Sequence, residues 1–482
     1  MSYCDRQGLT EECPLTQDKN NKCKLSHFFG GGMKLIVCCF AVLSFAITTI
    51  LILQLVYASK LLQIGTKILR KGGNAIDAAI AATVCMTVVA PHKTSLGGGG
   101  CMMLYSHKDK SEPLVINFAN NTVGGIFGTI GMRLPAVLKG LEFAHVLKGV
   151  LPWNEIIEPA AKLARTGFVV SKELEYELSN NSDYGMLYGH INAGGILKLN
   201  DLADTLDAVA KNGTIVLYNG TLSLKLLRDE VKKEELLLQL ANYKPEMSTA
   251  KKISFYKHLL YYPSGAFDFE SSITALENLK ISPKIASKTE TMALVAQTLL
   301  HSNLRTLDMI KNVEEERYTG VMVMDGQDTY VSVLTGLSAP LGLAHMTGTG
   351  FLLDKTSNDN DLSTLLPIIF HNEEKSCELR GVLGADDTIL SSQLLYHLIV
   401  RGLNVSSAIE HPRYYLLSNG VSIENDQLYI LKTVLQNKSN VSTSISNIDA
   451  SSISKSVNAI IKHEDLITSH SDSRGGGLAS RF

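Results

Sequence analysis

Apolar residues recur at helical spacing soon after residue 66. Between residues 76 and 88 every fourth position is Ile or Val. This run lies between Asn74, which can cap a helix, and Pro91, which ends one. The same spacing predicts two helices over residues 134–168, joined between Gly149 and Pro152, and further helices at 202–212, 226–240 and 394–401.

Alternating apolar residues predict strands in the remaining segments. The glycine run Gly97–Gly100 opens one alternating stretch, and residues 321–337 contain two apolar runs about an Asp-Gly turn, which predicts a β-hairpin. Residues 419–425 predict another strand, and the Ser- and Asn-rich residues 437–456 predict a surface loop. We therefore expect a mixed α and β chain, with helices first and sheet later.

One uncharged apolar stretch, residues 35–57, is long enough to cross a membrane as a helix. A cleaved signal peptide is the alternative, but its apolar region is usually shorter, and no clean cleavage site follows here. Positive charges are nearly balanced on the two sides, so the greater length after the span decides the orientation. We expect a cytoplasmic tail at residues 1–34, a transmembrane signal anchor at 35–57, and an extracellular or lumenal ectodomain of a single-pass type II protein at 58–482.

Composition and charge exclude several classes of protein. Hydrophobic residues make up 45% of the 482 residues and charged residues 19%, which is enough apolar material for a large folded core. The net charge of −2 and the lack of a basic stretch give no support to nucleic-acid binding. Outside the tail and the span the cysteines are Cys85, Cys101 and Cys377, so the ectodomain has at most one disulfide.

Seven N-x-Ser/Thr sequons follow the apolar stretch, which agrees with an ectodomain exposed to glycosylation. They begin at Asn120, Asn180, Asn212, Asn219, Asn404, Asn437 and Asn440.

Common catalytic and ligand-binding motifs are missing from the sequence. It has no G-x-S-x-G, H-E-x-x-H, P-loop or C-x-x-C motif, and its 13 histidines are scattered without metal-ligand spacing. The glycines at 97–100 precede a strand and offer no helix N-terminus to a phosphate, so they are interpreted as sites of close backbone packing. We expect no metal and no cofactor.

Several segments, in order along the chain, resemble the γ-glutamyltransferases, also called glutathione hydrolases. They are LRKGGNAIDAAIAAT, VVAPHKTSLGGGGCMMLY, LKGLEFAHVLKGVLPWNEIIEPAAKLARTGF, TLDAVAKNGTIVLYNG, LANYKPE, AIEHPRYY and SDSRGGG. One such segment is a weak signal, but the full series over residues 68–477 identifies the chain as a member of the family. The chain is shorter than typical members of the family, and the missing length falls mostly before Thr319. In this respect it most resembles the short, divergent type 6 members.

The resemblance implies an α+β fold of the N-terminal-nucleophile hydrolases, a four-layer αββα sandwich, preceded here by one transmembrane helix. In this family a precursor cuts itself before a threonine, which then attacks a γ-glutamyl carbonyl with its own α-amine as base. The implied substrates are glutathione-like γ-glutamyl peptides, and the acceptors are water, amino acids or dipeptides. Self-cleavage would give a heterodimer of a large-subunit-like chain, 58–318, and a small-subunit-like chain, 319–482.

The resemblance places the nucleophile at one of two neighbouring residues. Comparison without a gap, counted back from the second strand of the hairpin, puts it at Tyr318, whose phenol cannot use the same geometry. A one-residue deletion in the turn puts it at Thr319, which is the predicted catalytic residue. The family's supporting threonine falls on Gly336.

The family's substrate contacts correspond to five positions of this chain. The arginine that binds the glutamyl α-carboxylate corresponds to Asn120, and an asparagine near the nucleophile corresponds to Ser338. The acidic loop that binds the α-amino group offers Asp359, and the paired serines become Ser363 and Thr364. These five residues are the predicted substrate-binding set.

The oxyanion-hole glycines of the family correspond to Asp386 and Asp387. Carboxylates oppose a developing oxyanion, so an exposed turn without a catalytic role is the alternative interpretation of this pair. Two functions therefore stay open. One is a γ-glutamyl hydrolase and transferase, and the other is a catalytically inactive membrane glycoprotein that keeps the family scaffold.

Overall fold

The computed structural model describes most of the chain from residue 63 onward, and all described residues belong to one compact unit, Gln54–Phe482. The predicted tail and apolar span lie outside the described residues. Among the described helices, none combines the length and the apolar character of a membrane span. The residues not described are 1–62, 120–131, 181–183, 228–232, 303–316, 356–364, 376, 386, 418–419, 425–443, 449–455, 476–478 and 480–482.

Helices lie mainly before residue 303. The predicted cap is confirmed, because the Asn74 side chain accepts hydrogen bonds from the backbone N–H groups of Ile76 and Asp77. The described α-helices are α1 (residues 63–70), α2 (Ala75–Val89), α3 (Val137–Lys148), α4 (Trp153–Thr166), α5 (Lys172–Ser179), α6 (Asn200–Asn212), α7 (Ile215–Tyr218), α8 (Thr221–Leu226), α9 (Lys233–Asn242), α10 (Phe267–Asn278), α11 (Thr289–Ser302), α12 (Thr388–Leu395) and α13 (Val405–Ile409). A π-helix, Tyr396–Val400, follows α12 directly.

Two large antiparallel sheets form the centre of the described fold. The described strands are β1 (Gly99–Ser106), β2 (Leu114–Asn117), β3 (Phe168–Val169), β4 (Ile196–Leu197), β5 (Glu246–Thr249), β6 (Lys251–Phe255), β7 (His258–Tyr262), β8 (Arg317–Met324), β9 (Thr329–Leu337), β10 (Leu366–Asn372), β11 (Arg380–Ala385), β12 (Tyr414–Leu417), β13 (Gly420–Glu424), β14 (Ser444–Ile448), β15 (Val457–His463) and β16 (Leu466–Ser471). The first large sheet has the strand order β5-β2-β1-β9-β8, and the second has the order β16-β15-β11-β10-β7-β6.

The two large sheets face each other, and helices cover their outer surfaces. In β1, Met102 and Leu104 pack into a core with α2, α3 and α4. The alternate residue Met103 packs between the sheets, where it shares a core with Tyr261 of β7 and Val382 of β11. Helices α10, α11 and α12 cover the other side of the second sheet. This period of two produces helix, sheet, sheet and helix layers.

The predicted hairpin is confirmed as β8 and β9, which pair over residues 317–324 and 330–337. Residues 325–328 connect the strands, and Asp328 has a left-handed φ of 62°. Its carboxylate accepts from Lys462 of β15 at 2.9 Å and from Arg380 of β11 at 3.3 Å. The turn of the first sheet is thus fastened to the second.

Two predictions about the order of elements are wrong. Helices do not simply precede the sheet, because β1 and β2 come before α3 and β1 pairs with β9 in the first sheet. Residues 444–448, inside the predicted loop, form β14 and pair in parallel with β13. Composition favoured a loop there, but pairing with a distant strand prevails.

Candidate functional site

The register of the hairpin determines the neighbours of the predicted nucleophile. Thr319 pairs with Thr335, and Tyr318 pairs with Gly336. The glycine assigned to the supporting position therefore lies opposite Tyr318, whereas a threonine lies opposite Thr319. Sequence comparison missed Thr335, because only the strand register identifies it as the cross-strand neighbour.

Three buried threonines form a chain of hydroxyl groups that ends at Thr319. Thr319 Oγ1 lies 3.4 Å from Thr335 Oγ1 and 3.5 Å from the carbonyl oxygen of Thr335. Thr94 Oγ1 donates to Thr335 Oγ1 at 3.0 Å. The three residues are 8%, 1% and 0% exposed in the order Thr319, Thr335 and Thr94. Each hydroxyl has one proton and also accepts, so this hydroxyl chain can orient the proton of Thr319.

The two candidate nucleophiles face different layers. Successive residues of a strand point to opposite sides of its sheet. Thr319 shares a side with Val321 and Val323, which pack against the helices on the first sheet. Tyr318 packs with Met322 in the core between the sheets. Assigning the nucleophile to Tyr318 instead of Thr319 therefore moves it from the core under the helices to the core between the sheets.

The loop between α2 and β1 holds Thr94 in place. Ser95 Oγ donates to the carbonyl oxygen of Leu352 at 2.7 Å, and Gly97 forms a parallel bridge with Leu353. A Cβ on Gly97 would lie 2.1 Å from the carbonyl oxygen of Leu352, so only glycine fits. This contact confirms the interpretation of the glycine run as a site of close backbone packing.

A charged contact attaches the same loop to α5. Lys93 Nζ lies 2.8 Å from Glu173 Oε2, and His92 Nε2 lies 3.6 Å from the same oxygen. Burial alone would raise the pKa of Glu173, but hydrogen bonds and positive charge from His92 and Lys93 lower it to about 2. Glu173 is therefore ionised at neutral pH and stabilises the positively charged start of the loop.

The second sheet fixes β8 and β9 from their other side. Asn458 Nδ2 of β15 donates to the carbonyl oxygen of Gly320 at 3.1 Å, next to Thr319 in the chain. Ser332 Oγ of β9 donates to the carbonyl oxygen of Leu383 at 3.3 Å. The backbone around Thr319 is thus held from both sheets.

A buried polar cluster lies where β9 ends. The Ser338 backbone N–H donates to Asp354 Oδ1 at 2.8 Å, and Ser338 Oγ lies 2.8 Å from that oxygen and 2.7 Å from the carbonyl oxygen of Lys355. Arg133 Nε lies 3.6 Å from Asp354 Oδ2. The Arg133 side chain also donates to the carbonyl oxygens of Ala119, at 3.0 Å, and Lys355, at 3.1 Å.

The Asp354 carboxyl group of this cluster titrates near neutral pH. Burial raises the pKa of Asp354 to about 6, against the opposing influence of the Arg133 charge and the hydrogen bonds from Ser338. Asp354 is 2% exposed and Arg133 is 6% exposed. The resemblance selected neither residue, although Asp354 begins the stretch in which it placed Asp359.

Asp387 is a helix cap in the structure. Its Oδ1 accepts from the Leu390 backbone N–H at 2.8 Å at the start of α12, and the residue is 9% exposed. The predicted exposure of this turn is therefore wrong for Asp387, because the capping carboxylate lies against the helix N-terminus. The lack of a catalytic role at Asp387 stays a prediction. Asp386 lies outside the described residues.

The remaining predicted residues are distributed as follows. Asn120, Asp359, Ser363 and Thr364 lie outside the described residues, so Ser338 is the described member of the substrate-binding set. The sequon residues Asn180, Asn212, Asn219 and Asn404 are exposed, and Asn437 and Asn440 are outside the described residues.

The cysteines of the described residues form no disulfide. Cys85 and Cys101 are buried and Cys377 is exposed, and all three are free thiols. In the described part of the chain, no group of three or more His, Cys, Asp or Glu side chains is arranged to hold a metal ion.

The sequence matches known proteins over most of its length. The family model described as Gamma-glutamyltranspeptidase matches residues 62–316. Glutathione hydrolase 7 of Mus musculus is 25% identical over an alignment that covers 77% of this chain and 70% of the relative. Glutathione hydrolase 3 of Arabidopsis thaliana is 32% identical over an alignment that covers 42% of this chain and 36% of the relative.

The fold is similar to that of a solved acylase. The crystal structure of cephalosporin acylase from Bacillus halodurans superposes with a TM-score of 0.69 at 16% identity, covering 86% of this chain and 92% of the acylase. At this level of identity the likeness concerns the fold, and it agrees with the expected α+β architecture.

Proposed function

Because this chain belongs to the gamma-glutamyltranspeptidase family, we propose that it hydrolyses and transfers the γ-glutamyl group of glutathione and related peptides, with Thr319 as the nucleophile. The observation that carries the proposal is the buried hydroxyl chain from Thr94 through Thr335 to Thr319. A hydroxyl that is buried, oriented and supported by a second hydroxyl is what a threonine nucleophile requires.

Self-cleavage is the first step of the proposed mechanism. Thr319 Oγ1 attacks the carbonyl carbon of Tyr318, the C–N bond between the two residues breaks, and an ester forms in its place. The hydroxyl proton passes to the departing nitrogen, which becomes the α-amine of Thr319. Water hydrolyses this ester, which leaves a carboxylate on Tyr318, a free α-amine on Thr319 and a restored hydroxyl. Thr335 Oγ1, 3.4 Å from the attacking oxygen, orients the Thr319 hydroxyl.

Group transfer follows on the freed threonine. Its α-amine takes the hydroxyl proton while Thr319 Oγ1 attacks the γ-glutamyl carbonyl carbon. The C–N bond of the substrate breaks, and the leaving amine takes that proton. Water or an acceptor amine then attacks the acyl ester, releases glutamate or a new γ-glutamyl amide, and returns a proton to Thr319.

Substrate binding is proposed for the residues that the resemblance selects. Ser338 directly follows β9, at the end of the strand that contains Thr335, and its side chain contacts Asp354. Asn120, Asp359, Ser363 and Thr364 complete the proposed set. Asp386 and Asp387 occupy the positions that correspond to the oxyanion-hole glycines of the family. The Asp387 carboxylate caps α12. We therefore propose that backbone N–H groups at these positions donate to the oxyanion.

A catalytically inactive glycoprotein is the second candidate. The strand register favours it, because Tyr318 lies opposite Gly336, and the ungapped comparison assigns the nucleophile and its support to those two positions. The family match also ends at residue 316, just before Thr319. Under this candidate the chain remains a single polypeptide.

The proposal also includes the membrane topology. A signal anchor at residues 35–57 would place residues 58–482 outside the cytoplasm, and self-cleavage would divide them into 58–318 and 319–482. The exposure of Asn180, Asn212, Asn219 and Asn404 supports glycosylation of this part. Enzymatic removal of N-glycans should lower the apparent mass of the membrane-bound protein, and an unchanged mass would contradict this topology.

Expression of the full chain in a secretory host tests the function. We expect two fragments, with Thr319 at a new N-terminus, and release of the amine from a γ-glutamyl anilide. Thr319→Ala should stay a single chain without activity, and Thr319→Ser should still be cut because serine keeps a hydroxyl. A wild-type chain that stays intact and releases no amine would support the inactive scaffold.

A further inference from the structure

We infer that Arg133 is a positioning residue that, with Asp354, holds the end of β9 and two neighbouring chain segments in one arrangement beside Thr319. This inference rests on the proposed function, because it assigns the arrangement a role in binding the γ-glutamyl substrate. The pair Arg133 and Asp354, with the groups they hold, is named here the Arg133 clasp.

The guanidinium group of Arg133 joins parts of the chain that are distant in sequence. It donates to the carbonyl oxygen of Ala119, which follows β2, and to that of Lys355. The Arg133 backbone N–H also donates to the carbonyl oxygen of Asp354 at 3.0 Å. One side chain therefore fixes the spacing between the end of β2 and residues 354–355.

The carboxylate of Asp354 extends the clasp to the end of β9. Its Oδ1 accepts from the Ser338 backbone N–H, and its Oδ2 lies 3.6 Å from Arg133 Nε. A buried ion pair contributes little net stability when desolvation is counted, but removal of one partner leaves an uncompensated charge. Its value here lies in the positions that it imposes on Ser338 and Lys355.

The clasp is continuous with the hydroxyl chain at Thr319. Ser338 lies three residues after Thr335 in the same segment, and Leu353, the neighbour of Asp354, pairs with Gly97 in the loop that carries Thr94. A shift of the clasp would therefore change the position of Ser338, the proposed substrate-binding residue, relative to Thr319. The hydroxyl chain itself is held separately by β8, β9 and Thr94.

Arginine is the side chain that this geometry requires. Its planar fork carries several N–H donors in fixed directions, whereas the ammonium group of lysine is a compact charge on a flexible stem. Arg133→Lys keeps the charge and loses the fixed fork. Asp354→Asn keeps an acceptor for the Ser338 N–H and loses the charge.

Steady-state kinetics on the full chain test the role of the clasp. We expect Arg133→Lys to raise KM about tenfold, to leave kcat within about twofold of wild type, and to keep the new N-terminus at Thr319. Arg165→Met is the matched control, because Arg165 pairs with Asp204 and Asp207 on an exposed surface. It should leave KM and kcat unchanged.

The pH dependence of KM separates positioning from a general loss of structure. Arg133 is the ionised group that faces the Asp354 carboxylate, and Ser338 and the backbone of Lys355 are its other neighbours. In wild type KM should rise as pH falls through about 6, where Asp354 gains a proton and the ion pair is lost. In Asp354→Asn this rise should be absent.

Hydrogen exchange provides a measurement that does not need turnover. In Arg133→Lys the amides of residues 337–339 and 353–355 should exchange faster, and those of α6 should not change. Unchanged exchange, or equal kinetics for Arg133→Lys and wild type, would overturn the inference. If Arg133→Lys exchanges faster but the wild-type protein has no activity, the clasp has a structural role only. That outcome would overturn both its binding role and the proposed function.

Discussion

Thr94 Oγ1 donates a hydrogen bond of 3.0 Å to Thr335 Oγ1, although 241 residues separate the two along the chain. The bond joins the loop after α2 to the strand opposite Thr319. It is fully buried, so its loss is not compensated by water. It therefore connects the order of the loop to the orientation of the proposed nucleophile.

Thr94→Val should slow self-cleavage because it removes the donor that orients Thr335. One buried hydrogen bond contributes about 1 kcal/mol, so the rate should fall about fivefold. The measurement is the fraction of chain cut at Thr319 against time. Thr87→Val is the control, since the Thr87 hydroxyl donates to the carbonyl oxygen of Val84 within α2. Equal cleavage rates for Thr94→Val and the control would contradict this role of the hydroxyl chain.

Asp325 connects the hairpin turn to the N-terminus of α2. Its Oδ2 accepts from the Ala75 backbone N–H at 3.0 Å, and its Oδ1 accepts from the backbone N–H groups of Gln327 and Thr329. A carboxylate at this place satisfies an unpaired helix donor and favours the positive end of the helix.

Asp325→Ala should lower the free energy of unfolding by about 2 kcal/mol, because it leaves the buried N–H group of Ala75 without an acceptor. Chemical denaturation of the protein measures the change. Gln327→Ala alters the same turn at an exposed side chain and should change stability by less than about 0.5 kcal/mol. A similar loss in both variants would mean that the turn, and not the helix contact, determines stability.

The parts that the sequence predicts correctly are those that local patterns determine. The cap at Asn74, the helix that follows it and the Asp-Gly hairpin each depend on residues close in the chain. The glycine at 97 is also interpretable in advance, because a glycine run before a strand indicates close backbone approach.

The parts that sequence reasoning misses depend on long-range pairing. Thr335 becomes the neighbour of Thr319 only through the register of the strands, and a shift of one residue would exchange it for Gly336. The contacts of Arg133 with Lys355 and Asp354 join segments that no motif connects. Tertiary packing creates these sites, so one sequence without its fold does not indicate them.

A buried ionic cluster fastens the C-terminal segment. Arg474 donates to both carboxylate oxygens of Glu424, each at 2.7 Å, and Arg413 donates to Asp472 at 2.6 Å. The Glu424 side chain is 3% exposed and that of Arg474 is 8% exposed. Both arginines belong to segments that carry the family resemblance, and their partners explain a structural need for them.

Glu424→Ala should lower the free energy of unfolding by about 3–5 kcal/mol, because it leaves Arg474 buried with part of its charge unpaired. The additional change Arg474→Met should recover part of that loss, which a double-mutant cycle by chemical denaturation can measure. Glu374→Ala is the control, since Glu374 pairs with Lys257 at an exposed site and should cost less than about 1 kcal/mol. A fully additive cycle would contradict the pairing.

Two histidines beside α12 should make the fold sensitive to acid. Arg401 Nη1 lies 3.2 Å from His397 Nδ1 and 2.8 Å from His411 Nε2, so both rings present an unprotonated nitrogen to the same cation. Burial, and then the charges of His411, Arg401 and Arg413, hold the pKa of His397 well below its usual value. Burial and the nearby arginines also lower the pKa of His411.

The sign of the effect follows from these lowered pKa values. Above the unfolded pKa of about 6.5, neither state binds a proton at His397, and stability does not change through this group. Below it the unfolded chain binds a proton that the fold excludes, so stability falls by up to about 1.4 kcal/mol per pH unit. His397→Gln should reduce the slope of unfolding free energy between pH 6.5 and pH 5, measured by denaturation at each pH. Equal slopes in His397→Gln and wild type would mean that other groups cause the acid sensitivity.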